Sequence, residues 1–197
     1  MAPRHLLLTG AVAVAGANAV ISLRRRVYDV RSVQGAGALA IDSSWNLLGT
    51  TAALAVHAIN TRFPNAAFNG ELSRGATYHV YDGGMTMRPH FAFTFGNVVT
   101  NARGREELVT RHEALHVWQQ RALGPAYPFL YAGWMAGGAV VGALVWLRHR
   151  DQPLFSLVET AAYYDNPFEF WAYRHEGRWP PRRAHPLLAW RVAAPNL

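Results

Sequence analysis

His112-Glu113-Ala114-Leu115-His116 is the stretch from which the rest of the chain is read. Residues four apart share one face of a helix. Both imidazoles can therefore serve one metal ion, and Glu113, one residue along, can reach a water on that ion. Two neutral imidazoles, one further protein ligand and an open water position make up a hydrolytic zinc site. In such a site the metal lowers the pKa of its water, and a carboxylate takes the proton as the water attacks a carbonyl.

The flanks support a helix. Residues 105–123 contain no Gly or Pro, and Gly124-Pro125 follows as a stop. Glu106 and Glu107 suit the first turn and Arg121 the last, as the helix dipole favours. Leu108, Leu115 and Ala122 recur every seven residues with Trp118 between them, an apolar stripe with Val109, His112 and His116 beside it. Two histidines on a half-buried helix would spell the same letters without a metal, so the third ligand decides.

Downstream, residues 126–147 carry no charge and end at Arg148-His149-Arg150. That length fits a membrane crossing. Gly133-x-x-x-Gly137 and Gly138-x-x-x-Gly142 flatten its surface for another helix, of this chain or of a second one. Residues 153–164 form a shorter apolar run carrying Glu159, expected to return along the first as a hairpin. Asn166-Pro167 then reads as N-cap and first residue of a new helix, with Glu169 in its first turn. The tail from residue 174 is rich in Arg and Pro and reads as irregular.

Glu159 and Glu169 both stand in Glu-x-x-Ala and both can supply the third ligand. Glu169 is favoured because a capped helix start presents it rigidly. Asn166-x-x-Glu169 is also close to a capping box, in which the carboxylate would bond only the backbone at Asn166. Tyr163, Tyr164, Tyr173 and His175 compete for the role of oxyanion stabiliser.

Residues 61–101 change character, with frequent Pro, Gly and Asn and a period of two. Thr77-Tyr78-His79-Val80-Tyr81-Asp82 reads as a strand, Gly83-Gly84 as a turn and residues 85–88 as a return strand. Phe91-Ala92-Phe93-Thr94-Phe95 places three Phe on one face. A small antiparallel sheet is therefore expected before the His-Glu helix, offering an edge to an extended peptide. His57, His79 and His90 are expected in structural or solvated roles.

Residues 5–23 are free of charge between Arg4 and Arg24-Arg25-Arg26. They read as a retained membrane helix rather than a cleaved signal peptide, because the Arg cluster follows the apolar run. Residues 37–60 are a weaker run, interrupted by Asp42, Asn46 and His57, open to a second crossing, an interfacial helix or a core helix.

The 197 residues are 51% apolar and 16% charged, with net charge +7, every basic residue an Arg and no Cys. Cysteine-based metal sites and disulfides are thereby excluded. No basic stripe with interleaved aromatics is present, so nucleic acid is not expected as a partner. Scattered Arg at the ends of apolar runs suits an anionic lipid surface.

With these residues in place, the chain resembles a family. His112, His116 and Glu169 with Ala172 look like the gluzincin branch of the zincin metallopeptidases. More narrowly, residues 111–124 together with residues 166–172 resemble uncharacterised bacterial zinc peptidases that carry a His-Glu-x-x-His-x-x-Gln helix and a later Asn-Pro-x-Glu-x-x-Ala. The resemblance covers about residues 91–173. It implies Zn2+ held by His112, His116 and Glu169, Glu113 as catalytic base and a peptide or protein substrate. The N-terminal apolar runs lie outside it, and the apolar runs place the chain in a membrane, expected to be the bacterial plasma membrane. The expected architecture is mainly α with a small antiparallel sheet, a zincin-like minidomain combined with transmembrane or membrane-embedded helices. Residues 1–60 would form the membrane segments, and residues 61–197 a zincin-like domain interrupted by a hairpin at 126–164. A non-catalytic membrane scaffold or assembly protein with a vestigial or structural zinc site is the alternative. If His116 and Glu169 share a metal, the chain crosses a membrane an even number of times between them.

Overall fold

The computed structural model describes residues 2–88 and 91–189. His90 and Trp190 lie outside them. Two compact units divide the chain, one through Tyr127 and one from Pro128. Among the described residues the architecture is mainly helical with one small three-stranded sheet, and two helices are long and apolar enough to cross a membrane.

The first unit opens with α1, Ala2–Arg24, most of whose apolar window is exposed. Its position and composition also fit a signal sequence. The weaker apolar run is not one helix. It divides into α2, Val33–Asp42, and α3, Leu47–Asn60, of 10 and 14 residues, both short of the ~20 a crossing needs. The break at residues 43–46 coincides with the buried polar pair Asp42 and Asn46, whose side chains are hydrogen-bonded to each other. After a short α4, Gly70–Ser73, come β1, His79–Val80, β2, Phe93–Phe95, and β3, Val98–Thr100.

The sheet is mixed, which corrects the antiparallel expectation. Its order is β1-β3-β2, with β1 parallel and β2 antiparallel to β3. Residues 85–88 do not form the expected return strand. The Thr86 hydroxyl donates to the Arg88 carbonyl and closes a turn there. Without that strand the chain re-enters through β2, and β1 is left to pair with β3 running the same way.

The period of two sorts the sheet's side chains to its faces. Val80 and Val99 are fully buried against Val109 and Val117 of the His-Glu helix. Val98 and Tyr81 are buried against Ala53 and Val56 of α3. Each buried Val contributes about 1.5–3 kcal/mol of burial free energy, so the sheet fixes the height of that helix.

The helix itself departs from the regular form. It runs as α5, Glu106–Leu108, a π stretch, Val109–Glu113, and α6, Ala114–Leu123. The expected stripe is not the buried one, since Trp118 is 40% exposed and Ala122 is also exposed. The buried face is Val109, His112, Glu113, His116, Val117, Gln119, Gln120 and Arg121. Several of its polar groups are matched. Gln120 Oε1 accepts from the Gly96 N–H at 2.7 Å, and Arg121 meets Asp42. Gly124 ends α6 with φ 52°, a backbone that favours glycine, and the Trp45 ring occupies the place a Cβ would need. Pro125 sits in the 3-10 turn that follows.

The second unit is built on α7, Tyr127–Arg148. Gly138 and Gly142 lie against the backbone of the returning segment, at Ala161 and Val158. That segment is α8, Leu154–Glu159, continued by a π stretch, Thr160–Tyr164. The second small-residue pair is therefore used within the chain, while Gly133 and Gly137 meet no other segment among the described residues. α9, Pro167–Glu176, follows as expected, with the Asn166 side chain accepting from the Phe168 N–H and Gly177 closing the helix at φ 77°. Its described continuation, residues 178–189, is irregular but anchored. The His185 backbone N–H donates to Thr160 Oγ1 at 2.7 Å, and the Trp179 ring meets Phe170 edge-on.

Candidate metal centre

His112 ends up within the π stretch and His116 in the first turn of α6. A π turn is wider than an α turn, and single π turns recur at functional sites. Here it leaves the imidazoles facing each other, with Nε2 to Nε2 at 3.2 Å and the rings edge to face. The side chains are 3% and 6% exposed.

Gln119, one turn after His116, places its Oε1 2.8 Å from His116 Nδ1. An amide oxygen accepts only, so Nδ1 carries the hydrogen and the Nε2 lone pair is left toward His112. Orienting partners of this kind hold a ligating histidine in its metal-binding tautomer. The one-turn spacing in the sequence was the signal for this role.

Glu169 is in the first turn of α9 and is 3% exposed. The Tyr131 hydroxyl donates to its Oε1 at 2.8 Å, a contact the sequence did not show because Tyr131 lies inside the charge-free run. Burial, and then the nearby Glu169 carboxylate, push the Tyr173 phenol well above its ordinary pKa. Ala172, one turn after Glu169, is fully buried.

One ligand atom from each of His112, His116 and Glu169 lies within 4.8 Å of the others, and all three residues are buried. Such a group could hold a metal ion. Among the described residues Glu159 does not join it.

Glu113 is 4% exposed and accepts from the Thr94 hydroxyl at 2.6 Å through Oε2. Thr94 was not anticipated. His57 and His79 take structural roles. His57 Nδ1 stands 2.7 Å from the Tyr81 hydroxyl, and His79 Nε2 stands 2.9 Å from Ser22 Oγ. Tyr163 and Tyr164 stack edge-on, and Tyr164 also meets Tyr173.

No protein-family model, curated protein or solved structure matches the chain.

Proposed function

We propose that this protein is a membrane-associated zinc metallopeptidase that hydrolyses peptide bonds. The observation that carries the reading is the buried group of His112, His116 and Glu169, with Glu113 beside His112 in the chain. Two imidazoles and one carboxylate suit zinc. Tetrahedral bonds of about 2.0–2.1 Å put two ligand nitrogens roughly 3.3 Å apart, close to the 3.2 Å between the two Nε2 atoms.

His112, His116 and Glu169 would hold the zinc. Bound there, zinc supplies a water of lowered pKa and a Lewis acid for the scissile carbonyl. The chain's own groups do the rest. Glu113 takes the proton from the attacking water and passes it to the leaving amine. Gln119 and Tyr131 keep a ligating imidazole and a carboxylate in fixed orientations. The helices α1 and α7 support a place in a lipid membrane.

The burial of all three ligands also suits a structural zinc in a non-catalytic scaffold, and Glu113→Gln separates the two readings. In the peptidase, Glu113→Gln retains zinc and loses about 10²–10⁴-fold in cleavage of a fluorogenic peptide library. Cleavage at the parental rate by the zinc-loaded variant would contradict it.

A further inference from the structure

Thr94 sits in the middle of β2, at the edge of the sheet, paired with Val99 of the central strand. Its hydroxyl oxygen lies 2.6 Å from Glu113 Oε2 and 3.4 Å from the Glu113 backbone carbonyl. An ionised carboxylate only accepts, so the single hydroxyl hydrogen goes to Oε2. A separation of 2.6 Å is in the range of short charge-assisted O–H···O⁻ bonds. Glu113 Oε1 has no hydrogen-bond partner among the described residues.

The two partners are constrained differently. Thr94 is β-branched and so stiff at χ1, and its backbone is fixed by the strand pairing. Glu113 closes a π stretch and carries a longer, more mobile side chain. The rigid group therefore orients the mobile one.

We propose that Thr94 is the positioning residue for Glu113: its hydroxyl holds Oε2 and leaves Oε1 as the oxygen that receives the proton. This rests on the zinc peptidase reading, which it deepens by assigning the two carboxylate oxygens separate tasks. Valine at position 94 keeps the branch and the strand and removes only the donor.

The test uses the full chain in detergent, loaded with zinc, and acetohydroxamate as the probe. This small chelator binds zinc through both oxygens and shares its proton with a neighbouring carboxylate. Thr94→Val is expected to weaken its binding about tenfold, as loss of a hydrogen bond to a charged group would. Thr94→Ser restores binding to within about threefold. Zinc content and melting temperature stay at the parental values, and in a Glu113→Ala background Thr94→Val has no further effect.

Binding of acetohydroxamate by Thr94→Val as tight as by the parent overturns the proposal. So does an equal loss in the Glu113→Ala background, or a Thr94→Val chain that no longer holds zinc. A parent chain that binds no zinc overturns the metal-site reading itself, and the role of Thr94 falls with it.

Discussion

Arg121 Nη2 lies 2.6 Å from Asp42 Oδ2, with the two side chains 1% and 0% exposed. The pair joins α6 to the end of α2, and it is not isolated. Arg121 also reaches the Thr77 hydroxyl at 2.9 Å, and the Tyr28 hydroxyl donates to Asp42 at 2.6 Å. A further bond runs from Asn97 Nδ2 to the Tyr28 oxygen at 2.7 Å. The helix that carries the two histidines is thereby tied to the N-terminal segments through charged groups. Removing one member strands the other in a buried place, which costs about 3–5 kcal/mol. Asp42→Ala is accordingly expected to lower the stability of the full chain by that order in denaturant titrations. Asp42→Leu with Arg121→Met, which removes both charges, is expected to cost less than Asp42→Ala alone.

Gln119 gives a prediction on affinity. Its oxygen sets the His116 tautomer, so Gln119→Leu should weaken zinc binding by about 10–100-fold. Gln119→Glu retains an acceptor and should stay near the parental affinity. Chelator competition measures both, and equal affinity of the Leu variant and the parent would refute the orienting role.

The glycines of α7 separate into two pairs with different expected tolerances. A Cβ at Gly142 would stand 2.6 Å from the Val158 Cα, and one at Gly138 would meet the Ala161 and Ala162 backbone, so the neighbours there cannot yield as a side chain would. Gly138→Leu and Gly142→Leu should open the hairpin and lower the yield of folded protein in detergent. Gly133→Leu and Gly137→Leu should be accepted, since no described residue would lie within 4 Å of a Cβ at either. Thermal melts of the four variants decide this.

His57 predicts a pH dependence. Burial, and then the positive charge of Arg25, push its pKa down from 6.5 to about 4. The Tyr81 hydroxyl and the His79 ring are its other neighbours. The unfolded chain binds the proton more readily, so stability is lost as pH falls through 6.5 and the loss levels off near 4. Its full size is up to about 3 kcal/mol for His57 alone. His79 lies well below its ordinary value for the same leading reason, burial, and it adds to the loss in the same direction. Melting temperatures from neutral to mildly acidic pH should fall less steeply for His57→Gln than for the parent.

Much of this site is legible in the residues. The His-Glu-x-x-His spacing, the Asn166-Pro167 start and the Gly124 stop are local signals, each set by helix geometry or by backbone freedom at one residue. The long charge-free runs at α1 and α7 are equally local. What the sequence conceals is set by distant partners. The buried face of the His-Glu helix is polar because Asp42 and the Gly96 N–H are there to meet it, and an apolar stripe therefore misidentifies it. The parallel pairing of β1 depends on residues 85–88 closing a turn rather than a strand. Thr94 and Tyr131 carry no motif of their own and gain their roles only from what faces them.

The most direct measurement is the metal content of the detergent-purified full chain, for the parent and for Glu169→Ala. The account predicts about one zinc per chain in the parent and a large loss in the variant, because binding needs the complete, deprotonated ligand set. A parent without metal, or a Glu169→Ala chain that holds as much zinc as the parent, would contradict it.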